Sequence, residues 1–257
     1  MLTAGVRALD DVSEAAAATG DHPVVVLDVG TGFVAPGWAV GSLPEGAVAL
    51  HRRSDHGVPG SAVLGSREGL ATLLDDARVR DWVRGDGNRH LSVPRGLVDV
   101  ALDRLDLGDR GGEWDWLWTR TTPPPVPGED RVVDLAPTDR AEAEAFLGAH
   151  SPGTHGQPFA RPGQRWVAVR DDDGSLVAVG GSEPCQAGTP TLAGIAVASH
   201  RRGEGWGAAV TAHLTREAVA STGTCALGMF ADNVVARRLY ERLGFVTGME
   251  WTSRWFA

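Results

Sequence analysis

The run Thr121-Thr-Pro-Pro-Pro-Val-Pro-Gly-Glu-Asp130 constrains the fold more than any other stretch of the chain. Pro123, Pro124 and Pro125 cannot continue a helix or a central strand, and consecutive prolines make a stiff, extended spacer. No helix or strand crosses such a run, so the chain divides into residues 1–122, a linker at 123–130 and residues 131–257. A length of 257 residues also exceeds the usual size of one hydrophobic core.

Side-chain chemistry then removes several functions. With 42% apolar and 22% charged residues the chain reads as globular rather than disordered. A net charge of −9 argues against a nucleic-acid partner, whose phosphates require clustered positive charge, and would steer a cationic small molecule inward. Every basic residue is arginine. The absence of lysine excludes a Schiff-base lysine, a pyridoxal phosphate anchor and a Walker A loop. Cys185 and Cys225 form neither a CxxC pair nor a disulfide framework, as expected in a reducing compartment. His51 and His56 stand five apart, a spacing unsuited to two ligands on one helix face, so no metal is expected. The opening MLTAGVRALDDVSEAAAATGDHP is too acidic for a signal peptide, and no stretch is long enough for a membrane span. A cytoplasmic protein is expected.

The second half alternates its periodicities. Val132–Leu135 reads as a strand, and Asp139–Ala149 as a helix with Glu142 as capping-box partner. A Gly/Pro-rich loop spans 151–164, followed by strands Arg165–Val169 and Leu176–Val179 about an Asp172-Asp-Gly174 hairpin turn. Leu192–Val197 is a strand, and Trp206, Val210, Leu214 and Ala218 mark an amphipathic helix. Thr224–Phe230 is a strand, Asn233–Leu243 a helix ended by Gly244, and Phe245–Phe256 a last strand. The order is β-α-loop-β-β-β-α-β-α-β.

The first half has strand candidates at Val24–Val29, Trp38–Val40, Ala47–Leu50 and Ala62–Leu64. A helix at Arg67–Val83, a strand at Leu91–Val93, a helix at Gly96–Leu105 and the alternating strand Trp114-Asp-Trp-Leu-Trp118 follow. From its middle strands onward this repeats the order of the second half, so either an internal duplication or two unrelated α/β units is expected. The tryptophan stripe suits a buried sheet face or an aromatic substrate wall.

Three glycine patterns compete for a phosphate-binding role. Gly30-Thr-Gly32 follows an apolar run, as in S-adenosylmethionine-dependent methyltransferases or Rossmann units, but Pro36-Gly37 and a strand come next where those folds need a helix; it reads as a strand ended by a turn. Gly203-Glu-Gly205-Trp-Gly207-Ala208 also satisfies a loose dinucleotide spelling, with too little chain left for a Rossmann sheet. The longer window from Ile195 to Ala208 holds R-x-x-G-x-G on a strand-loop-helix junction. There the glycines turn several amides toward one point, the helix N-terminus adds positive potential and Arg202 adds charge. A pyrophosphate suits that site.

With Asn233-Val-Val-Ala236-Arg-Arg-Leu-Tyr240-Glu-Arg-Leu-Gly244-Phe245 downstream, the segment Leu192–Phe245 resembles the GNAT superfamily of N-acyltransferases. Its opening resembles the glycine N-acyltransferase-like branch. The resemblance implies an α/β (α+β) fold with a mixed central sheet flanked by helices: a GNAT domain at 131–257 and a degenerate GNAT-like unit in 1–122 that binds no CoA. It further implies an acetyl-CoA-dependent N-acetyltransferase that acts on a primary amine of a small molecule, amino acid or protein by direct attack. A non-catalytic acyl-CoA-binding regulatory module is the alternative. A monomer or homodimer is expected, with no nucleic-acid or membrane partner.

Residue by residue, the resemblance implies that Ile195, Ala196 and Val197 pair with the pantetheine arm. Arg202, Gly203, Glu204, Gly205, Trp206, Gly207 and Ala208 would form the pyrophosphate loop, and Asn233, Ala236 and Tyr240 would flank the arm and thioester. Val197 N–H is the family-like oxyanion donor and Tyr240 the family-like acid. Thr191–Val197 carries no carboxylate, so Glu183 is the first candidate base, with His155 and Glu250 as alternatives. Arg237 and Arg238 suit either a solvated helix face or the adenosine 3′-phosphate, and His200 a surface position.

Overall fold

A computed structural model of the protein describes residues 5–53, 57–85 and 87–257; His56 lies outside the described residues. The strands are β1 (Arg7–Leu9), β2 (Gly37–Val40), β3 (Ala47–His51), β4 (Ser61–Gly65), β5 (His90–Pro94), β6 (Leu107–Thr119), β7 (Val133–Asp134), β8 (Arg165–Arg170), β9 (Leu176–Pro184), β10 (Pro190–Val197), β11 (Cys225–Phe230) and β12 (Val246–Phe256). The helices are α1 (Val12–Thr19), α2 (Arg67–Asp75), α3 (Ala77–Arg84), α4 (Val98–Leu102), α5 (Arg140–His150), α6 (Trp206–Thr222) and α7 (Val234–Arg242).

Among the described residues the strands form one mixed sheet in the order β1-β2-β3-β4-β5-β12-β6-β11-β10-β9-β8-β7. The halves on either side of the prolines are therefore not separate sheets. β12, from the second half, lies between β5 and β6, while β6, from the first half, lies between β11 and β12. Each side runs through antiparallel strands to one parallel step, β4–β5 or β10–β11, and then meets a strand from the other half. Helices cover both faces. Along β8, Val167 and Val169 join the core beneath α6 and α7, whereas Trp166 and Ala168 join the core beneath α5, the period-2 alternation of a strand buried on both sides.

The second half follows its predicted order, and the differences have local causes. Glu142 is no capping-box partner: Asp139 Oδ2 accepts the Ala136 N–H at 2.7 Å, and Glu142 instead binds Arg170 at 2.6 and 2.8 Å. The expected helix over 67–83 breaks at Asp76, whose extended backbone and carboxylate cap α3. Val24–Val29 is not a strand but a π-helical turn entered from Pro23. An unalternating apolar run fits a buried helix as well as a buried strand. The glycines after it are there for contact: a Cβ on Gly32 would lie 2.3 Å from the Gln186 carbonyl oxygen, and one on Gly30 2.6 Å from Ala187. Gln186 Nε2 donates to the Gly32 carbonyl, and Ala187 N–H to that of Asp28, so this turn seats the β9–β10 hairpin.

Trp116 is buried, while Trp114 and Trp118 pack beside it in the same core. Among the described residues no helix is long and apolar enough to cross a membrane, and no three His, Cys, Asp or Glu side chains gather as a metal site. His51 lies tilted against the Trp82 ring.

Candidate active site

The site begins where two parallel strands part. β10 and β11 are paired only at Thr191–Ala226 and Leu192–Leu227, and β10 bulges between Ala193 and Ala196. Gly194 sits in the bulge with φ +64° and the Trp166 ring 2.5 Å from where a Cβ would stand, so only glycine fits. Past the bulge, Ala198 N–H donates to the Val177 carbonyl on β9 at 2.8 Å. By strand alternation the Val197 N–H points the other way, into the fork. A cleft of about 670 Å³ opens there, lined by Leu192–Ile195 on one side and Leu227–Phe230 on the other.

The loop below β10 turns through Gly203 and Gly205, whose φ angles are +85° and +95°. Gly205 caps α6 and no side chain does, so the first-turn amides of Trp206, Gly207 and Ala208 stay open. A Cβ on Gly203 or Gly205 would meet nothing within 4 Å; the space over the loop is clear. Glu204 would oppose an anion here, yet Arg201 binds it at 2.8 Å and Trp206 Nε1 donates to it. These donors hold the Glu204 carboxyl below its ordinary range. Arg202 lines the cleft and donates to the His150 carbonyl at 2.6 Å. Open amides at a helix N-terminus, with no unbalanced carboxylate, fit a pyrophosphate.

α7 closes the other side. Asn233 caps it, accepting the Ala236 N–H at 3.1 Å, and Tyr240 lies two turns on, 8% exposed, lining the cleft. Burial alone pushes its phenol up to about 12, so at neutral pH it is an O–H donor. Its ring rests on Phe245. Arg237 neither lies on a solvated face nor points at a phosphate site: it pairs with Asp115 of β6, which is fully buried and also holds Arg95. Arg238 is exposed.

Of the residues singled out from the sequence, Ile195, Arg202, Asn233 and Tyr240 line the cleft, and so does His155, edge-on to Phe230. Ala196 turns into the core under α5; Val197 and Ala236 pack under α6 and α7. Trp206 faces the linker, with Gly128 against its ring and Arg131 over it at 5.2 Å. Glu183 is not among the lining residues: Arg161 grips both its oxygens at 2.6–2.7 Å and Gln164 donates at 2.6 Å. Glu250 pairs with Arg95 outside the cleft, and His200 is exposed.

Of the far wall, sequence reasoning singled out only Trp114, in the tryptophan stripe. Arg52, His90, Ser92 and Arg110–Trp114 come from the first half, and Ser253 and Trp255 from β12. Apart from Trp114 no local motif marks them; the strand exchange brings them there. The lining holds three arginines and one acidic residue, Glu113, opposite in sign to the chain as a whole.

The acetyltransferase (GNAT) family model matches residues 131–245. No curated protein matches the sequence. Among solved structures, the chain resembles a GCN5-related N-acetyltransferase from Kribbella flavida over 96% of each chain, with TM-score 0.54 and 17% identity. It resembles a GNAT-family acetyltransferase from Colwellia psychrerythraea over 98% of this chain and 99% of that one, with TM-score 0.52 and 14% identity. A GCN5-related N-acetyltransferase from Sphaerobacter thermophilus aligns over 85% and 79%, with TM-score 0.51 and 16% identity. At such identities the likeness is one of fold, and in the first two it spans both halves.

Proposed function

Because residues 131–245 are a domain of the acetyltransferase (GNAT) family, we propose that the protein transfers an acetyl group from acetyl-CoA to a primary amine by direct attack. The observation that carries this reading is the fork between β10 and β11, which opens onto the uncapped N-terminus of α6. Bound there, acetyl-CoA supplies an activated thioester. The α6 amides and Arg202 hold its phosphates, and the unpaired edge of β10 at Ile195–Val197 holds its arm, as an added strand would.

Three proton and charge tasks then fall to this chain. Val197 N–H points where an oxyanion forms, and a preoriented amide is worth most in a dry cleft. Tyr240, a neutral phenol, donates its proton to the departing thiolate. Of the three bases named from the sequence, His155 lines the cleft, so it, rather than the Arg161-bound Glu183, takes the proton of the incoming amine. Direct attack also suits the thiols: neither cysteine lines the cleft, and burial pushes Cys225 up to about 12, far from a thiolate nucleophile.

The second reading, an acyl-CoA-binding regulatory module without catalysis, draws on the engagement of Glu183. Release of free thiol from acetyl-CoA with a panel of amines, beside calorimetry of acetyl-CoA binding, separates the two. Amine-dependent thiol release is the expected outcome, and binding without release would leave the regulatory module.

We also propose that the first half is a degenerate counterpart of the second. Its junction after β4 is closed: Ser66 Oγ accepts the Gly69 N–H at 2.9 Å, and a Cβ on Gly69 would lie 2.5 Å from the Gly46 backbone. The expected stoichiometry is therefore one acetyl-CoA per chain, and two would overturn the proposal.

A further inference from the structure

The cleft extends beyond the end of β11 along β6, β12 and β5. Registers place Ser92 beside Ser253, His90 beside Trp255 and Gly112 beside Ser253. Directly opposed residues share a sheet face, and Arg110 and Trp114, two positions either side of Gly112, lie on that face too. A Cβ at Gly112 would meet nothing within 4 Å, so the glycine leaves a recess in this wall.

Two arginines frame the recess on aromatic supports. Arg110 lies over the Trp255 ring at 3.7 Å, and Arg52 over Trp114 at 4.8 Å. Ser92 and Ser253 hydroxyls lie 2.7 Å apart, and Trp114 Nε1 donates to Ser253 at 2.8 Å. The charges on this wall are not equivalent. Arg52 is paired with Asp28 at 2.5 Å and Glu113 with Arg95 at 3.3 Å. Arg110 is exposed and, among the described residues, has no carboxylate within 4.0 Å. A guanidinium stacked on an indole keeps its in-plane N–H fork available, and that fork matches a carboxylate. In sheet order β11 separates this wall from the phosphate-binding end at β10.

We propose that the acceptor amine carries a carboxylate, which Arg110 binds in the recess over Gly112. The substrate class is then an amino acid or a related amine bearing a carboxylate. This rests on the acyl-transfer reading above.

The test compares alanine, phenylalanine and glutamate with their α-carboxamides as acceptors, following thiol release from acetyl-CoA. The carboxamide keeps the shape, loses the charge and has the less basic amine, so preference for the acid reports carboxylate binding. The acids should lead in kcat/KM by about 10- to 100-fold, the range of a hydrogen-bonded charge pair. Arg110→Ala should bring the ratio near one, with acetyl-CoA affinity in calorimetry unchanged. Gly112→Val should fill the recess and raise KM for the acids. Carboxamides used as well as acids, an unchanged ratio in Arg110→Ala, an unchanged KM in Gly112→Val or loss of acetyl-CoA affinity would each overturn the assignment of Arg110 while leaving acyl transfer intact. Thiol release with no amine at all, despite acetyl-CoA binding, fails the transfer reading and this inference with it.

Discussion

Tyr240 shows how one position ties burial to chemistry. It is the chain's only tyrosine, and a core would accept phenylalanine equally well. Tyr240→Phe should leave acetyl-CoA affinity nearly unchanged and lower turnover about 10²- to 10⁴-fold, as for a general acid. Near wild-type turnover, measured where chemistry limits the rate, would return Tyr240 to a packing role. The same burial sets an alkaline limit. A phenol raised from 10.0 to about 12 by folding contributes its full stability below pH 10 and loses it as pH climbs toward 12, because the unfolded chain ionises first. The buried Cys225 thiol, raised from 9.0 to about 12, acts in the same direction. Denaturant titrations should therefore show stability falling above about pH 9, and Tyr240→Phe should remove on the order of 2 to 3 kcal/mol of that fall. An unaltered alkaline slope in the variant would rule the phenol out as its source.

At the scale of elements, the loop into α6 and the seat of α7 carry separate loads. Gly205 stands at φ +95° with open space above it. In Gly205→Val a β-branched side chain would strain that backbone and occupy the anion's space, so acetyl-CoA binding should disappear from calorimetry while the circular dichroism spectrum is retained. Undiminished affinity would remove the loop from the site. α7 is held from the first half: Asp115 on β6 binds Arg237 three residues before Tyr240, and Arg95 beyond β5. Asp115→Asn strips the countercharge from the half-buried Arg237 guanidinium, while Arg95 keeps Glu113 and Glu250, a loss of about 3 kcal/mol. For a chain this long the melting temperature should fall by about 10 °C, and a drop within about 2 °C would mean that the pair is solvated. The elements themselves were largely legible. The Asp172–Gly174 turn, the helix start at Asn233 and the Gly244 stop are local signals, and each stands where the structure uses it. Val24–Val29 was not legible, because its helical form depends on what packs over it.

For the molecule as a whole, the proline run is a span as well as a boundary. β6 ends in the middle of the sheet and β7 is its far edge, five strand steps of about 4.8 Å away. Extended at about 3.1 Å per residue, the segment from Arg120 to Val132 covers that distance, and it packs on α6 through Val126 and the Glu129–Arg216 pair at 2.8 Å. Among the described residues each half keeps five adjacent strands but places its sixth against the other half, so fragments 1–122 and 131–257 should fail to fold separately and should reassemble when co-expressed. Gel filtration with thermal circular dichroism checks this, and cooperative melting of either fragment alone would contradict it. By itself the sequence determined that no strand or α-helix runs through Pro123–Pro125, the element order of the second half and the open-amide loop at 202–208, since each is written in neighbouring residues: prolines that forbid helix, glycines that permit left-handed turns, apolar positions at a helical period. Only the tertiary structure decided that Arg237 is held by Asp115, that Glu183 is held by Arg161, and that Arg110, Gly112 and Ser253 form one wall of the cleft. The first and last of these join residues more than a hundred positions apart through two exchanged strands, and the second joins a loop to a strand 22 positions on. The free energy that selects such an exchange comes from burying both faces of a sheet, a sum over the chain that no short window of residues records.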